Sequence, residues 1–126
     1  MGRVSALLAM IAALGPAGSA TAAELQSAVP ARFQGEWAGS IAGCATTTDE
    51  LRLSIGASTI RYFESSGTIK AAVTQGEHEL ALISELSGEG ETWLDVSHFQ
   101  LSDDGKTLAD ETTDAEVVRY RCPKRA

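Results

Sequence analysis

The side chains in this 126-residue sequence that offer chemistry beyond packing are two histidines, two cysteines and a scatter of carboxylates. His78 and His98 sit near the same level if residues 78–86 and 91–101 form a hairpin about Ser87–Gly90. Parity keeps them apart. Leu80 and Leu82 turn the even residues of the first strand inward, with His78, whereas Trp93, Phe99 and Leu101 turn the odd residues of the second inward and leave His98 outside. A zinc-type site also needs three or four ligands, so no metal and no cofactor is expected. The chain has no Gly-x-Ser-x-Gly, and no His–Asp pair stands in a catalytic motif. Glu64, Glu89, Glu91 and Asp95 are carboxylates of a turn-rich acidic chain, where such neighbours arise by default. The expectation is a protein that is not an enzyme.

The aromatic residues carry more information. Asp95 and Ser97 share parity with Trp93 and Phe99. One strand face would then present two aromatic rings, a carboxylate and a hydroxyl, the mixture of apolar wall and few polar groups that lines ligand pockets. The candidate ligand-binding residues are Trp37, Tyr62, Trp93, Asp95 and Phe99, with Tyr62, Trp93 and Phe99 as walls and Asp95 as the polar contact. The competing reading is that these rings are core, because eight short strands enclose an interior that side chains can fill.

The elements that must position these residues are strands. Gly56, Gly67, Gly76, Gly88, Gly90 and Gly105 punctuate the chain at short intervals, as in an all-β sandwich or barrel. Between them apolar and polar residues alternate with the period of half-buried strands. Leu51, Leu53 and Ile55 alternate with polar neighbours, as do Ile69, Ala71 and Val73, and Val118, Tyr120 and Cys122 with Arg119 and Arg121 between them. The expected strands are 34–41, 50–55, 59–64, 68–75, 78–86, 91–101, 106–110 and 116–122. A meander of eight strands removes its exposed edges by closing, so the expected fold is all-β, an eight-stranded antiparallel barrel.

The ends of the chain bear on compartment. Arg3, an apolar run from Val4 to Leu14, the Gly15-Pro16 break and Ala20-Thr21-Ala22 make up the three parts of a signal peptide. Cleavage is expected after Ala22, with Ala23 as the neighbouring alternative. The run is too short to span a bilayer, so no membrane anchor is expected. The resulting organisation is a signal peptide at 1–22, a flexible lead-in at 23–32 and a barrel domain at 33–123, in a periplasmic or secreted protein. In an oxidising compartment Cys44 and Cys122 would pair, the alternative being two buried thiols. Removing residues 1–22 takes away Arg3 alone and leaves nine basic against 17 acidic residues, a net charge of −8. Such a surface repels nucleic acid. A small apolar ligand or a basic protein is the expected partner, and the chain is expected to be a monomer.

Gly35-Glu36-Trp37 at the first strand resembles the Gly-x-Trp of lipocalin-like (calycin-type) barrels. That resemblance implies a tryptophan packed across one end of the barrel as a plug. The strings "FQGEWAG", "IRYFESSG", "GEGETW", "LSDDGKTL" and "YRCP" also resemble a group of small exported proteobacterial proteins, which implies the domain bounds and export but no activity. In a plain meander, however, Cys44 follows the far end of the first strand while Cys122 closes the last strand beside its start. A disulfide between them requires either a short first strand with "SIAGC" folding back or a different topology. Finally, "ELSGEGETW" resembles the Ser-Gly-x-Gly loop of periplasmic inhibitors of c-type lysozyme. The resemblance implies contact through Ser87, Gly88, Glu89 and Gly90, although Trp93 replaces that family's tyrosine and Glu91 adds charge. A second inhibitor family, directed at serralysin-type metalloproteases, shares Gly-x-Trp and uses its N-terminal tail, here residues 23–33.

Overall fold

The computed structural model describes residues 21–124. The expected signal peptide, residues 1–22, lies almost wholly outside them. The described residues form nine strands: β1 (Ala23–Gln26), β2 (Gly35–Ala38), β3 (Leu53–Ile55), β4 (Thr59–Arg61), β5 (Ser66–Gln75), β6 (Glu79–Gly88), β7 (Glu91–Leu101), β8 (Thr107–Asp110) and β9 (Val117–Arg121). Strands β2 to β9 pair antiparallel with their sequence neighbours, and β9 returns to β2 through Trp37↔Arg121 and Ala38↔Tyr120. The result is a closed, eight-stranded antiparallel meander, the fold class that the glycine spacing and the alternation predict.

The ninth strand is a departure. Residues 23–32 are not a loose lead-in: β1 pairs with β5 from Ala23↔Gln75 to Gln26↔Ala72, beyond the stretch of β5 that β4 occupies. Leu25, the one large apolar residue of β1, is 77% exposed. The strand is therefore held by backbone pairing and leaves no hydrophobic period to read. A 3-10 turn at Ala31–Phe33 then drives Phe33 into the core.

Two alternation readings also change. In β5 the register shifts between Ile69 and Ala71, so Lys70 is a bulge residue. A bulge reverses the parity of the residues beyond it: Ala72 and Thr74 are buried, and Ala71 and Val73 take the outer face with Ile83 and Ala81 opposite them. In β9 the arginines, not Val118 and Tyr120, face inward. Arg119 is 6% exposed, whereas Val118 and Tyr120 are each about 40% exposed. Arg119 is opposite the buried Leu108, and its charge is met within the barrel by Asp110.

The core explains which end is sealed. Phe33, Trp37, Leu53, Ile60, Leu80, Leu82, Phe99 and Leu108 are almost completely buried. Trp37 donates its indole N–H to the Phe33 carbonyl at 3.2 Å, and the Arg121 guanidinium lies 4.2 Å from its ring centroid. Arg121 in turn donates to the carbonyls of Arg32, Gln34 and Gly105. Trp37 thus plugs one end, as the Gly-x-Trp resemblance implies, and Arg121 clamps the chain across it.

The disulfide joins Cys44 to Cys122, with Cα atoms 5.6 Å apart. Its geometry resolves the topological conflict in favour of a short first strand. β2 ends at Ala38, and a 3-10 turn at Ala42–Ala45 returns the chain toward Glu36, whose carbonyl accepts the Cys122 N–H. Arg52 fastens this return by donating to the carbonyls of Gly43, Cys44 and Thr46 and to the Glu36 carboxylate. Asp49 adds hydrogen bonds from the N–H groups of Gly39 and Leu51.

This packing sets two stability outcomes. The bridge closes a loop spanning 78 residues, for which loop entropy predicts a contribution of up to about 4.5 kcal/mol. Replacing both cysteines by alanine is expected to lower the urea midpoint accordingly, and an unchanged midpoint would show that the staple adds nothing. At Gly67 an added Cβ would stand 1.8 Å from the Glu85 carbonyl oxygen on the adjacent strand. Gly67→Ala should cost about 2–3 kcal/mol in the same assay, because backbone rather than a flexible side chain must yield.

Candidate functional site

Alternate connections of a meander gather at one end, so the loops 39–52, 62–65, 89–90 and 111–116 surround the end opposite the Trp37 plug. The β6–β7 hairpin forms the tallest part of this rim. Its two turn residues, Glu89 and Gly90, have φ of 51° and 81°, the left-handed pair that suits a tight two-residue hairpin. Gly88↔Glu91 and Ser87↔Thr92 are paired directly below it, and the Ser87 and Thr92 hydroxyls lie 3.0 Å apart. The turn sets the register of everything on β7. Leu86↔Trp93, Ser84↔Asp95, Leu82↔Ser97 and Leu80↔Phe99 then share the inner face, as the parity of the sequence predicts.

Within this rim lies a cavity of about 310 Å³, bounded by Tyr62, Leu86, Trp93, Asp95, Ser97 and Val117, with Asp110 and the 112–115 loop along one side. The barrel is open only to this depth. At the level of Ser97 and below it, Leu82, Leu80 and Phe99 fill the interior. Three of the candidate ligand-binding residues, Tyr62, Trp93 and Asp95, therefore converge on one cavity. Phe99 and Trp37 do not: both are fully buried core residues, Trp37 at the sealed end. Inward parity alone cannot distinguish a wall residue from a core residue, since depth along the axis decides it.

The cavity has a polar side that sequence reasoning largely missed. Asp110, opposite Phe99 on β8, also faces inward. Its Oδ1 accepts the Thr112 N–H and hydroxyl, and its Oδ2 lies 3.1 Å from Arg119 Nη1. Arg119 also donates Nε to the Leu51 carbonyl at 2.6 Å. This buried pair satisfies itself. Asp95 differs, because among the described residues no hydrogen bond or cation supports its carboxylate. Burial pushes its pKa above the ordinary range, and the Asp110 charge adds to the shift. The Ser97 hydroxyl, in a residue 2% exposed, finds no good hydrogen-bond partner among the described residues, and neither does that of Ser84. Ser97 Oγ faces the Tyr62 phenol without full hydrogen-bond geometry. An unmet buried hydroxyl costs roughly 1–3 kcal/mol, so such a group is normally met by water or a ligand.

The other candidates are placed elsewhere. Ser87, Gly88, Glu89 and Gly90 belong to the tight β6–β7 hairpin. His98 points outward between Glu79 and Glu111, and His78 lies in the β5–β6 turn beside Asp103 at the sealed end. The described residues contain no group of three or more potential metal ligands. A larger concavity of about 540 Å³ lies outside the barrel beside the disulfide, between Ile41, Cys44, Arg121 and Pro123. There the Arg121 guanidinium is already committed to three backbone carbonyls. Comparison of the chain with protein-family models, with curated proteins and with solved structures returned no match.

Burial raises the Tyr62 pKa to about 12. The sequence holds two tyrosines, so a spectrophotometric titration at 295 nm should contain one phenol that ionises only near pH 12, and Tyr62→Phe should remove that phase. Since the folded value exceeds that of a free phenol, about 10, this group makes the fold lose stability as pH rises from about 10 toward 12. Ionisation of both phenols in a single step near pH 10 would contradict the buried placement.

Proposed function

We propose that this protein is an exported, non-catalytic binding module that holds a small amphipathic ligand in the mouth of its barrel. The observation that carries the reading is the mouth cavity itself. Its volume of about 310 Å³ is at the scale of small-ligand pockets, and it sets the rings of Tyr62 and Trp93 and the side chains of Leu86 and Val117 around an unsupported carboxylate and an unpartnered hydroxyl. The barrel below is packed, so a ligand would occupy a shallow cup rather than a deep calyx. Export, and kinship with the small proteobacterial proteins whose strings the chain resembles, belong to the same proposal.

An inhibitor role has less in its favour. The 87–90 segment is a two-residue hairpin turn with paired flanks, which offers little loop to insert into another protein. The N-terminal tail is engaged from Ala23 to Gln26 by pairing with β5.

The chain contains two tryptophans. Trp37 is wholly buried, and Trp93 is 40% exposed at the cavity wall. A bound ligand should therefore alter Trp93 emission and leave that of Trp37 unchanged. Titration with short-chain lipids, quinones and alkyl amines is expected to give a saturable change with at least one of them, and Trp93→Phe should abolish the response. Absence of saturation across the set, or an undiminished response in the variant, would remove the proposal.

A further inference from the structure

Resting on that reading of the mouth cavity, we infer that its ligand carries a positively charged nitrogen, an organic ammonium group held by Asp95 with its apolar part against Trp93 and Tyr62.

Inside the cavity one ion pair is already complete. Arg119 is the cation nearest the site, and it is spent on Asp110 and on the Leu51 carbonyl. Asp110 is spent on Arg119 and Thr112. Asp95 lines the same cavity with no partner of its own among the described residues. A carboxylate that is partly withdrawn from water and beside a second carboxylate favours an incoming cation and disfavours an anion. The aromatic rings point the same way, because the negative faces of Trp and Tyr attract ammonium groups. The Ser97 hydroxyl, buried at the floor and facing only the Tyr62 phenol without full hydrogen-bond geometry, accepts a hydrogen bond from an N–H donor as readily as it donates one.

The rim strengthens the selection. The loops 62–65, 89–90 and 111–116 carry Glu64, Glu89, Glu111, Asp114 and Glu116 and contain no lysine or arginine. Arg52, at the end of the fourth loop, is paired with Glu36. Arg61, which flanks the rim, lies outside the barrel with Ile60 turned in. The basic residues Arg32, Lys106, Arg121 and Lys124 belong to the sealed end or the disulfide side. A field of this polarity draws cations to the mouth. An inorganic cation fits poorly, since a single free carboxylate and a hydroxyl fall short of the six or more oxygen ligands of calcium, and the described residues hold no cluster of three ligating side chains.

The test uses three probes that share one tail: octylammonium, octanol and octanoate, titrated at pH 7.5 against the mature, disulfide-bonded protein and followed by Trp93 emission and calorimetry. Octylammonium is expected to bind at least tenfold tighter than either of the others. Asp95→Asn, which keeps the side-chain shape, should bring octylammonium to the affinity of octanol. Asp103→Asn, which removes one charge at the sealed end, should leave the preference intact and so separates a local contact from the general negative field. Equal binding of all three probes, or a preference that survives in Asp95→Asn, would overturn the cation assignment while leaving the cavity reading in place. Saturation by none of them would overturn both.

Discussion

The Arg121 guanidinium rests 4.2 Å from the ring centroid of Trp37 and reaches past it to the carbonyls of Arg32, Gln34 and Gly105. Those four contacts tie the last strand, the first barrel strand, the 3-10 turn before it and the β7–β8 turn into one closed end. A meander of eight strands has two free edges until its first and last members meet, and here they meet through only two register pairs, Trp37↔Arg121 and Ala38↔Tyr120. So short a ladder is a weak closure by itself. Burial of the indole, the stacked cation above it and the disulfide just beyond the last strand supply what the backbone pairing lacks. Barrel closure, strand tilt and interior volume are linked, so the width of the opposite mouth depends on this seal.

The two ends show a division of labour imposed by size. A domain of about a hundred residues buries a limited share of its surface, and this one concentrates its large apolar side chains from the plug to the level of Phe99. Toward the mouth the inner face changes character. Ser84, Asp95, Ser97, Asp110 and Arg119 stand among Leu82 and Leu86, and the wall opens into a cup. Groups of this kind lower the stability of a barrel that has nothing to bind, because buried polar atoms must recover their lost hydration. Their gathering on the inner face, next to two aromatic rings, is what turns the upper part of a small core into a candidate site.

The fold was largely legible because its signals are local. Glycine turns and a period of two in Leu51–Ile55 and Leu80–Leu82 are consequences of backbone sterics and of one wet face against one dry face, and both are written in neighbouring residues. The misreadings occurred where a long-range interaction overrode the pattern. Lys70 bulges out of β5, so the inner face passes from Ile69 to Ala72 rather than to Ala71. Arg119 and Arg121 look like the solvent face of β9 until Asp110, on the neighbouring strand of the same hairpin, and Trp37, far away in the chain, give each an inward partner. β1 carries no pattern, since its stability comes from hydrogen bonds to β5.

By itself the sequence determined the strand count of the barrel and the hairpin that carries Trp93, Asp95 and Ser97 on one face, because each depends on periodicity or turn chemistry; the plug residue came from the Gly-x-Trp resemblance. It also narrowed the route from Cys44 to Cys122 to two alternatives. The tertiary structure decided between them: a strand that stops at Ala38 and a turn fastened by Arg52. It also decided depth. Trp37, Phe99 and Trp93 are all inward-facing aromatics, yet two are core and one is a wall. Position along the barrel axis is set by strand register and stagger, which no single strand encodes. The same is true of charge: Asp95 and Asp110 are equivalent letters in the sequence, and only the paired strands, with Arg119 beside Asp110 across the β8–β9 hairpin, give one of them an arginine and leave the other alone.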